Sequence, residues 1–156
     1  MATTELIKGV KAPSFSLKNQ DGNTVSLKEY LGKKVVLFFY PEDLTPTCTN
    51  EACNLRDNFS LLQKKGIEII GISPDDEKKH QKFIAKHQLP YTLLCDPTLK
   101  VMHKYGVWAE KIMFGHKYMG VLRTTFLINQ DGKIHDVIRK VRSADHAQQI
   151  LTKWGM

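Results

Sequence analysis

Along the chain, short apolar runs alternate with segments whose apolar residues recur every three or four positions, a pattern that predicts strands interleaved with helices. The run Val35-Val36-Leu37-Phe38-Phe39-Tyr40 is rich in β-branched and aromatic residues and reads as a strand buried on both faces. Residues 41–47 carry two prolines and an aspartate and read as a loop. Beyond them Cys48, Ala52, Leu55, Phe59 and Leu62 fall at helical spacing, predicting one amphipathic helix that Gly66 terminates. Residues 67–73 read as a second buried strand. Ser73 then caps a helix with Pro74 and acids in its first turn, which carries Phe83 and Ile84 inward and stops before Leu89-Pro90.

Upstream, Asp21-Gly22 lies between alternating segments at 14–17 and 24–27, a hairpin signal, and a single helical turn over 28–31 ends at Gly32. Downstream, residues 91–95 form a short strand, 98–105 a short helix and 106–118 a long connection. Residues 124–129 and 134–141 pair about the turn Gln130-Asp131-Gly132-Lys133. Ser143 caps a last helix that buries Ala147, Ile150 and Leu151, with Trp154 at its end. The fold class is therefore α/β: a mixed central sheet flanked by helices, with an N-terminal β-hairpin.

At 156 residues, 42% of them hydrophobic, the chain is long enough to bury a full core and reads as one domain over 1–156. Residues 1–5 are polar and no apolar stretch of signal-peptide or transmembrane type follows. The net charge of +7 would suit nucleic acid, but it is dispersed in pairs such as Lys33-Lys34, Lys64-Lys65 and Arg139-Lys140 rather than clustered. Neither a nucleic-acid nor a membrane role is expected. Three cysteines, an odd number, do not make a secreted disulfide framework, so a reducing cytoplasm is the expected compartment. The six histidines show no metal-ligand spacing, and there is no glycine-rich phosphate loop, so neither metal nor cofactor is implied.

The candidate chemistry lies where the central strand hands off to the helix. Backbone N–H groups in a first helical turn lack internal partners and carry partial positive charge. A thiolate at Cys48 gains from both, so its pKa is expected below that of a free thiol. Alone, Cys48 would more often be a small buried hydrophobe. Its neighbours alter that balance.

Pro41-x-x-x-Thr45-x-x-Cys48 resembles the active-site signature of the peroxiredoxins, thiol peroxidases on a thioredoxin-like fold. The stretch Thr45-Pro46-Thr47-Cys48-Thr49-Asn50-Glu51-Ala52-Cys53 is similar to the subgroup called bacterioferritin comigratory protein or peroxiredoxin Q, with Thr47 where that subgroup commonly has glycine. Downstream, Tyr118-Met119-Gly120-Val121-Leu122-Arg123-Thr124-Thr125-Phe126 resembles its arginine-bearing strand. The similarity extends from about residue 13 to the last helix.

The resemblance implies roles that the residues alone leave open. Cys48 would be the peroxidatic nucleophile, Thr45 would hydrogen-bond peroxide and thiolate, Pro41 would shield the sulfur, and Arg123 would favour the thiolate and contact the peroxide. Without the resemblance, Thr45 is a turn residue, Pro41 a strand stop and Arg123 a surface charge. Cys53 would resolve the oxidised Cys48 as a disulfide. On one regular helix the two Cα atoms stand about 8.7 Å apart, and a disulfide needs about 7 Å or less, so the helix must unwind locally. Cys95 reads as a core thiol, and Glu51 as a first-turn acid outside the catalytic set.

The implied activity is reduction of hydrogen peroxide and organic hydroperoxides by a monomer that thioredoxin or a similar dithiol recycles. A disulfide oxidoreductase on the same fold is the first rival, disfavoured by the missing Cys-x-x-Cys, and a non-enzymatic basic binding module is the second.

Overall fold

The computed structural model describes residues 6–156; the polar start at 1–5, which bears on the expectation that no signal peptide is present, lies outside them. The strand that the apolar run predicts is β3 (Lys34–Phe39), numbered after the hairpin strands β1 (Ser16–Asn19) and β2 (Thr24–Ser26) and a 3-10 turn (Leu27–Tyr30). After it come α1 (Pro46–Asp57), α2 (Phe59–Lys64), β4 (Ile67–Ser73), α3 (Glu77–His87), β5 (Thr92–Cys95) and α4 (Lys100–Lys104). The remainder is β6 (Trp108–Met113), β7 (His116–Val121), β8 (Thr124–Ile128), β9 (Ile134–Ile138), a second 3-10 turn (Ser143–Asp145) and α5 (His146–Lys153).

Seven strands make one mixed sheet in the order β2-β1-β5-β4-β3-β8-β9. β3, β4 and β5 are parallel, and β8 returns antiparallel beside β3 with Phe39 opposite Thr124. The unbroken apolar character of β3 follows from its place. Val36, Phe38 and, just beyond, Tyr40 face a cluster with Cys48, Ala52 and Leu55 of α1, Phe83 of α3 and Ile150 of α5. Val35, Leu37 and Phe39 face the opposite layer, closed by Phe15, Val101, Met102 and Tyr105. Gly71 of β4 is required where it stands: a Cβ there would come within 2.7 Å of both Phe38 and Leu93 side chains.

Four local expectations are corrected. The helix of Cys48 begins at Pro46, because Thr45 is extended (φ −81°, ψ 153°) and proline fits the first helical position, where no N–H is needed. That helix breaks at Asn58 (φ −107°, ψ 8°), whose Nδ2 donates to the Asn54 carbonyl at 2.8 Å, so α1 and α2 are separate. Ser73 does not cap α3: it ends β4, and Asp76 is the cap, accepting from the Lys79 N–H at 2.9 Å. Likewise Ser143 opens the second 3-10 turn, and α5 starts at His146.

The largest departure is at 106–118, which is no open connection. β6 and β7 form a two-stranded hairpin separate from the main sheet, paired from Trp108↔Val121 to Met113↔His116. Its turn places Phe114 (φ 52°) and Gly115 (φ 79°) in the left-handed region. That is the backbone of a mirror-type two-residue turn, which Asn-Gly or Asp-Gly normally signals; Phe-Gly gives no such cue. β7 ends at Val121, so Arg123 lies in the link before β8 rather than within a strand.

Candidate active site

The register of β3 against β8 brings the two distant motifs together. With Phe39 opposite Thr124, the loop that leaves β3 must begin beside the link that enters β8, so Arg123 reaches the start of α1. Its Nη2 donates to Cys48 Sγ at 3.2 Å and its Nη1 to Glu51 Oε1 at 2.7 Å. Cys48 itself is buried, at 2% exposure, in the first turn of α1. The Arg123 guanidinium and the N-terminal turn of α1 thus meet at the same sulfur.

The loop between β3 and α1 is held under strain. Leu44 adopts φ 68°, a conformation that costs a non-glycine residue on the order of 1–3 kcal/mol. Asp43 anchors it: Oδ1 accepts from the Tyr40 hydroxyl at 2.5 Å, Oδ2 from His80 Nδ1 at 2.6 Å, and its N–H donates to Asp75 Oδ2 at 2.7 Å. His80 Nε2 lies 2.9 Å from the Leu94 carbonyl, so both ring nitrogens face acceptors, as an imidazolium requires. Burial alone would lower the His80 pKa, but the hydrogen bond and charge of Asp43, with bonds to Cys95 and Leu94, push it up to about 10. Asp43, Asp75 and His80 are close enough together to suggest a cation site. Their donor and acceptor atoms, however, are committed to one another and to the loop.

Thr45 follows this anchor. Its hydroxyl donates to the Glu42 carbonyl at 2.8 Å, which spends its proton and leaves its lone pairs to accept from a ligand. Pro41 stands half-buried directly after Tyr40. Cys53 sits in the same unbroken helix as Cys48, partly exposed, and all three cysteines are free thiols. Cys95 is buried at the end of β5 beside His80. The structure therefore brings Arg123 onto Cys48 and sets Thr45 one helical turn ahead of it, while Cys53 stays apart.

Glu51, left outside the set by sequence reasoning, lies at its centre. It is fully buried, and desolvation raises its carboxyl to about 7 despite the charge and hydrogen bond of Arg123. Behind it, His146 Nδ1 lies 2.9 Å from Gln149 Oε1. Gln149 also accepts from the Arg142 N–H and donates through Nε2 to the Lys140 carbonyl, which fixes Oε1 as the acceptor and puts the His146 proton on Nδ1. His146 Nε2 is then a lone pair, 2.7 Å from the Thr125 hydroxyl and 3.4 Å from Glu51 Oε2. Among the described residues Glu51 Oε2 has no hydrogen-bond partner as an ionised oxygen; a proton on it would point at that nitrogen. Burial lowers His146 to about 4, so it stays neutral. Nothing in the sequence marks His146, because a buried polar contact with Glu51 across 95 positions leaves no periodic signal, and Thr125 stood out only as part of the Arg123 stretch.

Comparison with known proteins gives the family. Residues 8–137 match the AhpC/TSA family. The chain is 46% identical over 143 residues to peroxiredoxin Bcp of Bacillus subtilis, covering 92% of this chain and 91% of that one. It is 43% identical over 140 residues to peroxiredoxin Bcp of Escherichia coli, covering 90% of each. Among solved structures, peroxidoxin BcpB of Mycobacterium tuberculosis superposes with a TM-score of 0.84 at 35% identity, covering 96% of both chains. The bacterioferritin comigratory protein of Xanthomonas campestris, described for its alkyl peroxide reduction activity, gives 0.85 at 29% identity over 97% of this chain and 96% of that one.

Proposed function

This chain belongs to the AhpC/TSA family and is a peroxiredoxin, a thiol peroxidase of thioredoxin-like fold, and we propose that Cys48 is its peroxidatic nucleophile and Cys53 its resolving partner. The observation that carries this reading is the Arg123 guanidinium 3.2 Å from a sulfur in the first turn of α1. The Cys48 thiolate attacks one peroxide oxygen. An S–O bond forms, the O–O bond breaks, and the other oxygen leaves with a proton as water or an alcohol. Arg123 offers charge to the sulfur and to the departing oxygen, where negative charge grows. Thr45, its own proton already given to Glu42, accepts the peroxide's hydrogen and orients it, while Pro41 limits water at the sulfur.

Cys53 then attacks the Cys48 sulfenic acid, an S–S bond forms and water leaves. A dithiol reductant returns the two electrons, and thioredoxin fits that role. This cycle suits a monomer of residues 1–156 in a reducing cytoplasm, acting on hydrogen peroxide and organic hydroperoxides. The test is peptide mapping by mass spectrometry of protein treated with one equivalent of peroxide. A Cys48–Cys53 linkage is expected. A linkage to Cys95, or oxidation that spares Cys48, overturns the assignment.

A further inference from the structure

The β6–β7 hairpin takes no part in the peroxidase chemistry, yet its sequence is costly to display. Ile112, Met113, Phe114, Tyr118 and Met119 are all exposed, and Phe114 at the tip is 95% exposed. Phe114 also occupies a left-handed position (φ 52°) that disfavours a bulky side chain. A strained, solvent-facing aromatic at a turn apex, where asparagine or glycine would be cheaper, points to a use outside the folded chain.

The pairing decides what kind of use. Ile112 faces Lys117 across the ribbon, and Met119 faces Glu110, on one side; Lys111 faces Tyr118, and Met113 faces His116, on the other. Apolar groups therefore project from both faces of a two-stranded ribbon and from its tip. A rigid protein partner covers one face and leaves the other wet. A fluid interface surrounds both. Behind the apolar tip stand cations: Lys117, and Lys111, whose ammonium lies over the Tyr118 ring at 5.8 Å and donates to the Val121 carbonyl at 3.0 Å. Lys111, Arg123, Arg139 and Lys140 then line an open groove of about 420 Å³ at the hairpin base. The hairpin's one acid, Glu110, already meets Lys117 at 4.0 Å, and the chain as a whole carries +7.

We propose that the β6–β7 hairpin docks this protein on an anionic phospholipid surface, with Ile112, Met113 and Phe114 entering the interface and the lysines meeting lipid phosphates. Aromatic tips and snorkelling lysines are the side chains such an interface takes, and an apolar insertion combined with basic residues gives reversible attachment.

The test uses the whole protein and vesicles of phosphatidylcholine with about one-third phosphatidylglycerol, without peroxide, so it does not depend on the peroxidase assignment. Flotation should recover the protein with these vesicles and far less with pure phosphatidylcholine. Phe114→Trp should show a blue-shifted emission on binding. Phe114→Asp should weaken partitioning about tenfold or more, and Lys117→Ala about fivefold, with turnover of hydrogen peroxide unchanged in both. Binding that Phe114→Asp leaves intact overturns the proposal in favour of diffuse adsorption of a basic protein. Concentration-dependent self-association that Phe114→Asp abolishes, without vesicle binding, overturns it in favour of a second copy. A raised KM for a dithiol reductant in that variant, again without vesicle binding, overturns it in favour of a protein partner.

Discussion

Replacing Glu51 by glutamine tests the charge logic of the site. Burial holds the Glu51 carboxyl at about 7 rather than 4.5, with Arg123 only partly opposing it. A difference of that size corresponds to about 3 kcal/mol between the two protonation states. The sign follows from which state holds the proton. Between pH 4.5 and 7 the folded chain keeps Glu51 protonated while the unfolded chain has released its proton, so rising pH favours unfolding. The stabilisation is complete below the unfolded value and is lost as pH rises through the folded one. Glu51→Gln keeps an oxygen for Arg123 Nη1, offers an N–H toward His146 Nε2, and cannot titrate. Urea unfolding of both proteins from pH 4.5 to 8 is the assay. The variant should gain about 3 kcal/mol relative to wild type across that range, a midpoint change of about 1–3 M for usual urea slopes. A flat difference would mean that Glu51 is ionised throughout and that the Arg123 pair outweighs its burial.

The remaining predictions concern the reaction. Cys48→Ser should abolish peroxide turnover, because a hydroxyl is not ionised near neutral pH; a coupled assay retaining near-normal turnover would remove Cys48 from its role. Arg123→Ala should slow oxidation of Cys48 on the order of 10²-fold or more, and an unchanged stopped-flow rate would take Arg123 out of the site. Oxidation of wild type should lower amide-exchange protection from Thr49 to Leu55 while β3 stays protected. Cys53→Ser should prevent that loss and leave a sulfenic acid open to overoxidation.

What the sequence made legible is what periodicity and short-range chemistry encode. The run at 35–40 is apolar on every position because β3 lies inside the sheet, between β4 and β8, with a packed layer on each side. The motif around Cys48 was readable because its residues share one loop and one helical turn. The β6–β7 hairpin was not, since its apolar residues face solvent on both sides and Phe-Gly stands in its turn. Alternation reports burial on one face, and beyond the Trp108–Val121 pair that packs on the core this ribbon buries neither. Glu51 was expected as a first-turn acid, but α1 begins at Pro46 and puts it in the second turn, and its role depends on Arg123 arriving through strand register. The Tyr40–Asp43–His80 chain has the same character: it joins residues 37 positions apart in the interior. Buried ionic contacts over such separations are consequences of the completed fold.

If Cys48 and Cys53 join as proposed, the anchoring of α1 decides from which end the helix opens. Its second half is tied down independently of the active site. The Ala52 carbonyl accepts from the buried Tyr91 hydroxyl at 2.7 Å, and Asn54 donates to the Ala144 carbonyl at 3.0 Å while accepting from the Ala147 N–H at 2.7 Å. Arg56 donates to the His87 carbonyl at 2.8 Å, and Ala52 and Leu55 are fully buried. Among the described residues the first turn has no such ties. Thr45 makes no side-chain cap bond to it, and Cys48 is held through Arg123 at its sulfur. Oxidation acts on that bond directly, because a sulfenic sulfur carries no full negative charge for the guanidinium to hold. Forming the disulfide must bring Cα atoms from about 8.7 Å to within about 7 Å, and the cheaper route releases the turn that has just lost its electrostatic partner. Opening therefore starts at Pro46 and stops short of Asn54, freeing amides as far as Leu55 whose carbonyl acceptors four residues back lie in the opened turns, and carrying Cys48 outward to Cys53, which is already partly exposed.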